Sequence, residues 1–409
     1  MGEGDAGVII VGAGHAGGSA AAMLRQFGYQ GPIRMIGEEP IAPYQRPPLS
    51  KAWLKGEADA ESLMLRPESF YAEAGIELRL NERVTAIDRD AVAVHLGSGE
   101  VLAYDHLILA TGATPRRLTV PGADLAGVLV LRSAADAEEL KAALAPGRRL
   151  AVIGGGYIGL EAAASARALG ADAVVIEREP RILARVACKE LSDFFTGYHK
   201  GHGVQFRVDA VVESFTGVAG RVTGVRLGSG ETVACDVALV GIGAAPEDAL
   251  ARAAGLDCTG GVVVDDCART ADPRIFAIGD VTHRPVPMYE RMFRLESVAN
   301  ALEQARQAAS AITHRPAPPR EVTWNWSDQY DLKYQFAGLP FDVDQVVMRG
   351  DPASGHFAVF HLCGDFIQAV EAVNAPAEFM GGRQLIAARR KVSPARLADL
   401  SVSMKEVAA

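Results

Sequence analysis

The first cysteine of this 409-residue chain is Cys188, and its five cysteines (Cys188, Cys235, Cys258, Cys267 and Cys363) form no CxxC or CxxxxC pair. That spacing excludes a linear redox dithiol and a zinc ribbon. Cys258 and Cys267 are the nearest two and lack partners for a metal site, so the sequence predicts no metal centre and cysteines that pack as small hydrophobes. Positive charge is also short: 41 Lys and Arg against 50 Asp and Glu leave a formal net charge of −9. This argues against a nucleic-acid partner, although a local basic patch can still receive an acidic protein. No run of about eighteen apolar residues occurs, which argues against a membrane-spanning helix. The start, MGEGDAG, lacks the positive segment of a secretory signal, so the expected location is the cytoplasm.

What is present is ordinary globular material, 49% hydrophobic and 22% charged, long enough for two or three domains. The apolar run Val8–Val11 leads into Gly12-Ala13-Gly14-His15-Ala16-Gly17 and an Ala-rich helical segment to about Gln26. The same grammar returns at Ala151-Val152-Ile153, with Gly154-Gly155-Gly156-Tyr157-Ile158-Gly159 and a helix through Leu169. One GxGxxG is a weak signal, because glycine also marks ordinary turns. Two copies, each after a strand, before a helix, and followed by an acid at the expected distance, predict two dinucleotide-binding units. The acids are Glu38 and Glu177. In each copy the first glycine (Gly12, Gly154) permits the tight turn and the second (Gly14, Gly156) lets backbone N–H groups reach a pyrophosphate. The third (Gly17, Gly159) lets helix and strand pack closely. The phosphates then sit at the positive end of a helix, and each acid can accept from a ribose hydroxyl.

Short strands with turn glycines, such as Arg221–Leu227 before Gly228-Ser229-Gly230, read as antiparallel hairpins beside each unit. The Pro-rich stretch 314–320 reads as a linker. Beyond it, strands at 357–360 and 367–370 and a helix at 377–389 predict a third domain. The fold class is therefore α/β, with two Rossmann-like units and a C-terminal α+β domain.

Three more segments, Ala110-Thr111-Gly112, Gly241-Ile242-Gly243-Ala244-Ala245-Pro246 and Gly279-Asp280, resemble the ATG, GxGxxP and GD motifs of flavoprotein reductases with a glutathione reductase-like fold. Tyr44–Lys51 (YQRPPLSK), Gly154–Glu161 (GGGYIGLE), Arg294–Ala305 (RLESVANALEQA) and Trp324–Leu332 (WNWSDQYDL) narrow this. Together they look like the oxygenase-coupled, putidaredoxin reductase-like enzymes that feed P450 and Rieske dioxygenase systems. The likeness runs from Val8 to about Ile386. One departure is Thr323-Trp324-Asn325-Trp326, where the family often has Pro-Trp-Phe-Trp; it leaves Trp326 in place and puts the contact of Asn325 in question.

The resemblance implies an FAD domain at 1–112 and 243–317, an NAD domain at 113–242 and a C-terminal domain at 318–409. It implies FAD and NADH as cofactors and electron delivery to a [2Fe–2S] ferredoxin. Implied FAD contacts are Ala16, Glu38, Val84, Thr111, Gly112, Arg132, Gly243, Asp280 and Val298, with Trp326 also at the cofactors. Tyr157, Ile158 and Glu177 belong to the NAD site. Val84 and Val298 read equally well as core valines, and His15 as a packing residue. Lys51 is implied to lie against the flavin, with Glu161 pairing with it or contacting the nicotinamide amide. Read locally, Lys51 falls in the first turn of a short helix begun by Pro47-Pro48 and stopped by Gly56. A cation there opposes the helix dipole by roughly 0.3–1 kcal/mol.

Disulfide reductases and NADH peroxidases of the superfamily need a thiol near the flavin, and this chain has none before Cys188. Electrons must then leave to an external acceptor. An acidic ferredoxin would dock on arginines, with Arg66, Arg291, Arg294 and Arg306 as candidates. Glu177 favours NADH over NADPH, against the nearby Arg178 and Arg181. Two other readings stay open, a rubredoxin reductase and an apoptosis-inducing-factor-like NADH-binding flavoprotein. Oligomeric state is open between monomer and weak dimer.

Overall fold

The computed structural model describes residues 6–408, so the opening Met1–Asp5 lies outside the described residues. The chain divides into two compact units. Among the described residues the first comprises 6–45, Ala60–Thr114 and Ala245–Asn325; the second comprises Arg46–Asp59, Pro115–Ala244 and 326–408.

In the first unit five parallel strands lie in the order Ile275–Ala277, His106–Leu109, Val8–Val11, Ile33–Gly37, Ile76–Leu80. Val8 to Val11 are all buried, because both faces of this sheet are covered, as parallel sheets require. Val8 and Ile10 face one core with Ala20, Ala21 and Leu24 of the helix His15–Gln26 and Ala305 and Ala308 of the helix Val298–Ile312. Their alternates, Ile9 and Val11, pack with Val84, Ile87, Val94 and Leu96 of a three-stranded antiparallel sheet (Val84–Asp88, Ala93–Leu96, Val101–Ala103).

The second unit repeats this plan. Its parallel sheet runs Gln205–Arg207, Asp172–Ile176, Arg149–Ile153, Val237–Val240, Val128–Leu129. Ala151 and Ile153 face Phe215, Val222, Val225 and Val233 of the antiparallel strands Val212–Val218, Arg221–Leu227 and Thr232–Ala234. The unit also holds an antiparallel sheet in the order Trp324–Gln329, Leu332–Gly338, Phe366–Val373, His356–Cys363, Gln345–Asp351, whose first strand starts at the unit boundary. The helix Pro376–Ala388 buries Phe379, Leu385 and Ile386.

One local expectation needs correction. The segment after Arg46 is not a single helix carrying Lys51 in its first turn. Pro47–Ser50 is a 3₁₀ turn, Lys51 breaks it with φ −125° and ψ −108°, and a new turn, Ala52–Lys55, ends at the left-handed Gly56. Two consecutive prolines fix a tight start, and the Lys51 N–H then bonds to the Pro48 carbonyl (2.9 Å), which closes the 3₁₀ turn. Lys51 is therefore the N-cap of the second turn rather than a residue inside one continuous helix. Among the described residues no helix is long and apolar enough to cross a membrane.

Candidate functional site

The two glycine turns have the same stereochemistry. Gly12 has φ +113° and Gly154 φ +107°; a Cβ would stand 2.2 Å from the Ala110 carbonyl oxygen in the first and 2.3 Å from that of Gly241 in the second. A Cβ on Gly17 or Gly159 would meet the carbonyl oxygen of Gly12 or Gly154 at 2.0 and 2.2 Å. These four positions are closed to any larger residue. Gly14 and Gly156 differ: each is the N-cap of the following helix, makes no side-chain cap, and has nothing within 4 Å of the place a Cβ would take. The open side of each turn is a helix N-terminus whose first N–H groups have no side-chain cap, an arrangement chemically suited to a pyrophosphate.

In the first unit this cradle is bordered by His15, whose Nδ1 is buried without a hydrogen-bond partner. Burial lowers its pKa, and the nearby Asp280 charge opposes that. An orphaned ring nitrogen and a carboxylate beside an open helix N-terminus fit a polar ligand with ribose and phosphate groups, as FAD has. Asp280 lies in a 3₁₀ turn after the strand Ile275–Ala277, and the Gly279 N–H is held by Gln304 Oε1 at 2.8 Å. Thr111 Oγ1 donates to the Glu247 carbonyl (2.7 Å), and Gly112 has φ +73°. Ala16 and Val84 are buried, while Val298 opens its helix partly exposed. Glu38 is exposed and paired with Arg83 at 3.2 Å.

In the second unit the acid does more than stand at the end of its strand. Glu177 Oε2 accepts from the Gly155 N–H (2.7 Å) and Oε1 from the Glu179 N–H (2.9 Å), so the carboxylate is fixed against the glycine turn. Arg178 pairs with Glu179, and Arg181 spends its donors on the carbonyls of Ala184, Ala187 and Cys188. Ile158, near the open Gly156, is 48% exposed and leaves an apolar surface beside the turn. The Tyr157 hydroxyl donates to the Val186 carbonyl (3.0 Å) and lies 3.3 Å from the Tyr334 hydroxyl; burial raises its pKa. Gly243, at φ +97°, accepts from the Arg116 N–H through its carbonyl. The Arg132 carbonyl accepts from Arg46 Nη1 (2.6 Å), and the Arg132 N–H donates to Asp136 (3.0 Å). Trp326 sits on the first strand of the antiparallel sheet, partly exposed.

The same unit brings Lys51 and Glu161 together. Lys51 Nζ is 2.6 Å from Glu161 Oε2, with the two side chains 16% and 4% exposed. Ser50 Oγ donates to the same oxygen (2.5 Å) and Ser327 Oγ to Oε1 (2.6 Å), so three donors converge on one buried carboxylate. Ser327 in turn accepts from Gln329 Nε2 (3.0 Å), and Gln329 Oε1 lies 2.7 Å from His199 Nε2. Because an amide oxygen only accepts, this network assigns the His199 proton to Nε2 and leaves Nδ1 to accept from the Tyr330 hydroxyl at 3.4 Å. Every donor in the chain from Tyr330 to Ser327 therefore points toward Glu161. Desolvation holds the His199 pKa down at about 4, so the ring is neutral at neutral pH.

Ser50, Ser327, Gln329 and His199 are the members that sequence reasoning passed over. Ser50 stands inside YQRPPLSK, and Ser327 and Gln329 inside WNWSDQYDL, motifs quoted for their neighbours, and could have been found there. His199 lies on an amphipathic helix, Lys189–Gly201, and carries no sequence signal of its own.

A family described as pyridine nucleotide-disulphide oxidoreductase matches residues 6–305, and one described as reductase C-terminal matches residues 324–408. A probable ferredoxin reductase, CtmF, of Castellaniella defragrans is 52% identical over 98% of both chains. A rubredoxin-NAD(+) reductase of Pseudomonas putida is 41% identical, covering 90% of this chain and 96% of its own. The reductase in the crystal structure of a covalent putidaredoxin reductase–putidaredoxin complex superposes with a TM-score of 0.96 at 40% identity, over 98% of each chain. All five cysteines are free and none precedes Cys188, so no redox disulfide sits by the first glycine turn despite the family's description. With its paired glycine turns and its reductase C-terminal domain, the chain belongs to the pyridine nucleotide-disulphide oxidoreductase family and is an oxidoreductase that uses FAD and NAD(H).

Proposed function

We propose that this enzyme passes electrons from NADH to a [2Fe–2S] ferredoxin that supplies a cytochrome P450 or Rieske-type oxygenase. The observation that carries this reading is the end-to-end match to a probable ferredoxin reductase, in a chain with no cysteine before Cys188 to take the electrons internally. FAD, when bound, accepts a hydride and releases its two electrons singly, which suits a one-electron iron–sulfur acceptor.

The residues then divide the work. Gly12, Gly14 and Gly17, with Ala16, Glu38, Val84, Thr111, Gly112, Asp280 and Val298, hold FAD; Gly14 leaves room for the pyrophosphate. Arg132, Gly243 and Trp326 complete the cofactor contacts. Gly154, Gly156, Tyr157, Ile158 and Gly159 receive NADH. Glu177, fixed by two backbone N–H groups, accepts from a ribose hydroxyl and repels a 2′-phosphate, and the engaged state of Arg178 and Arg181 removes the nearest cations that would reverse that preference. Lys51 supplies a fixed positive charge for the electron-rich flavin. Glu161, with Ser50 and Ser327, holds that ammonium in place, and its burial strengthens the field of the pair.

For docking, Arg66, Arg291, Arg294 and Arg306 form the proposed arginine patch. Arg294 and Arg306 are each paired with a neighbouring glutamate, Glu296 and Glu321, and Arg66 lies over the Phe70 ring. Arg291 heads the exposed segment Arg291–Phe293, which also presents Met292 and Phe293 to solvent. Stopped-flow mixing with NADH tests the enzyme reading: rapid bleaching of the flavin is expected, and faster than with NADPH. Slow reduction with a long-lived NADH complex would instead support a ligand-switched binding protein.

A further inference from the structure

Cys188, His361 and Glu371 meet in a buried cluster that the redox chemistry does not use. Glu371 lies on the strand Phe366–Val373, opposite Val359, and His361 lies two residues along the neighbouring strand, opposite Ala369. The two side chains are therefore diagonal neighbours on one face of the sheet. Cys188 arrives from elsewhere as the N-cap of the helix Lys189–Gly201. Its N–H donates to both Glu371 oxygens at 3.3 Å, and its Sγ–H to Oε2 at 3.0 Å.

Glu371 is 1% exposed and His361 5%, and Cys188 is half-buried, which leaves one side of the cluster accessible. His361 Nε2 is buried, has no hydrogen-bond partner, and faces Glu371 Oε2 at 3.8 Å. One sulfur, one ring nitrogen and one carboxylate oxygen thus lie within 4.8 Å of one another. An imidazole nitrogen left orphaned beside a buried carboxylate has no account in hydrogen bonding alone.

We propose that Cys188 Sγ, His361 Nε2 and Glu371 Oε2 bind a divalent ion of the Zn²⁺ type, with one position left for water. The donor set of soft sulfur, imidazole and carboxylate is that of zinc, whose tetrahedral bonds of roughly 2.0–2.3 Å need ligands about 3.5 Å apart. Charge supports it. In the ligated state a thiolate, a carboxylate, a neutral imidazole and a dication sum to zero. Cysteine ligates zinc as the thiolate, so binding releases the thiol proton. The site ties the start of one helix to two strands of the C-terminal sheet, and its role is structural. The linear cysteine spacings gave no sign of it, because its ligands are far apart in the chain.

The test uses the chelator-treated holoenzyme with FAD bound, dialysed against Zn²⁺ or the spectroscopic probe Co²⁺. One Zn²⁺ per chain is expected, with Co²⁺ ligand-field absorption to the red of the flavin bands and a higher Tm with metal than without. Losing an outer-shell partner typically costs 10–100-fold in metal affinity, so Cys188→Ala and His361→Phe, which each remove a direct ligand, should weaken binding by at least about 100-fold. In the wild type, Zn²⁺ should also protect Cys188 from alkylation, a readout that needs no variant. Absence of stoichiometric binding, equal binding by the variants, or unprotected Cys188 would each overturn the proposal.

Discussion

Lys51 and Glu161 form a 2.6 Å ion pair in which the carboxylate is almost wholly buried and carries two serine hydroxyls besides the ammonium. Removing one partner of a buried pair is more costly than never having had the pair, since the other charge stays behind. Lys51→Met should therefore destabilise the fold by about 3 kcal/mol, the lower end of the range because Ser50 and Ser327 still donate. It should also slow NADH-driven flavin reduction by about 100-fold, the scale of losing one preorganised electrostatic group. Urea unfolding and stopped-flow absorbance measure the two effects. A stable variant with unchanged reduction would leave Lys51 outside the chemistry.

Ser327→Ala deletes the hydroxyl that donates to Glu161 Oε1 and leaves Gln329 Nε2 without its acceptor. An unsatisfied buried polar group costs about 1–3 kcal/mol. The expected loss in denaturant midpoint is absent if water replaces the hydroxyl.

His199 makes stability depend on acid. Its folded pKa, about 4, lies below its ordinary value of 6.5, so the unfolded chain binds the proton more tightly. Its contribution is complete above pH 6.5 and is lost as pH falls toward 4, by about 3 kcal/mol in all. His15 and His106, also held down by burial, act in the same direction. Replacing His199 with Gln should flatten the slope of unfolding free energy between these pH values; an unchanged slope would assign it to other groups.

The glycines of the second turn should separate folding from binding. Gly156→Ala places its methyl in open space at an ordinary φ of −82°, so the fold should stand and flavin content should hold while the KM for NADH rises. Gly154→Ala, at φ +107° against a carbonyl oxygen, should fail to give folded protein. Equal behaviour of the two variants, in expression and in KM, would contradict this assignment.

Both glycine turns, their strands and helices, and the antiparallel inserts were legible because each rests on local rules. The apolar runs at Val8 and Ala151 need burial on two faces, and Gly12 and Gly154 need a backbone that other residues avoid. The helical reading of Lys51 failed because two prolines and a following turn residue do not reveal where a 3₁₀ turn stops. The relay from Glu161 to His199, and the Cys188–His361–Glu371 cluster, depend on strands and helices that are distant in the chain. No spacing encodes such meetings, although Ser50, Ser327 and Gln329 lie within the motifs YQRPPLSK and WNWSDQYDL.

The acceptor decides the account. NADH-reduced enzyme should be mixed anaerobically with a [2Fe–2S] ferredoxin and, side by side, with a rubredoxin, at low and high salt. Fast reduction of the ferredoxin is expected, slowing as salt screens the proposed arginine patch, with little transfer to rubredoxin. Preferential reduction of rubredoxin, or ferredoxin reduction at a rate independent of salt, would contradict it.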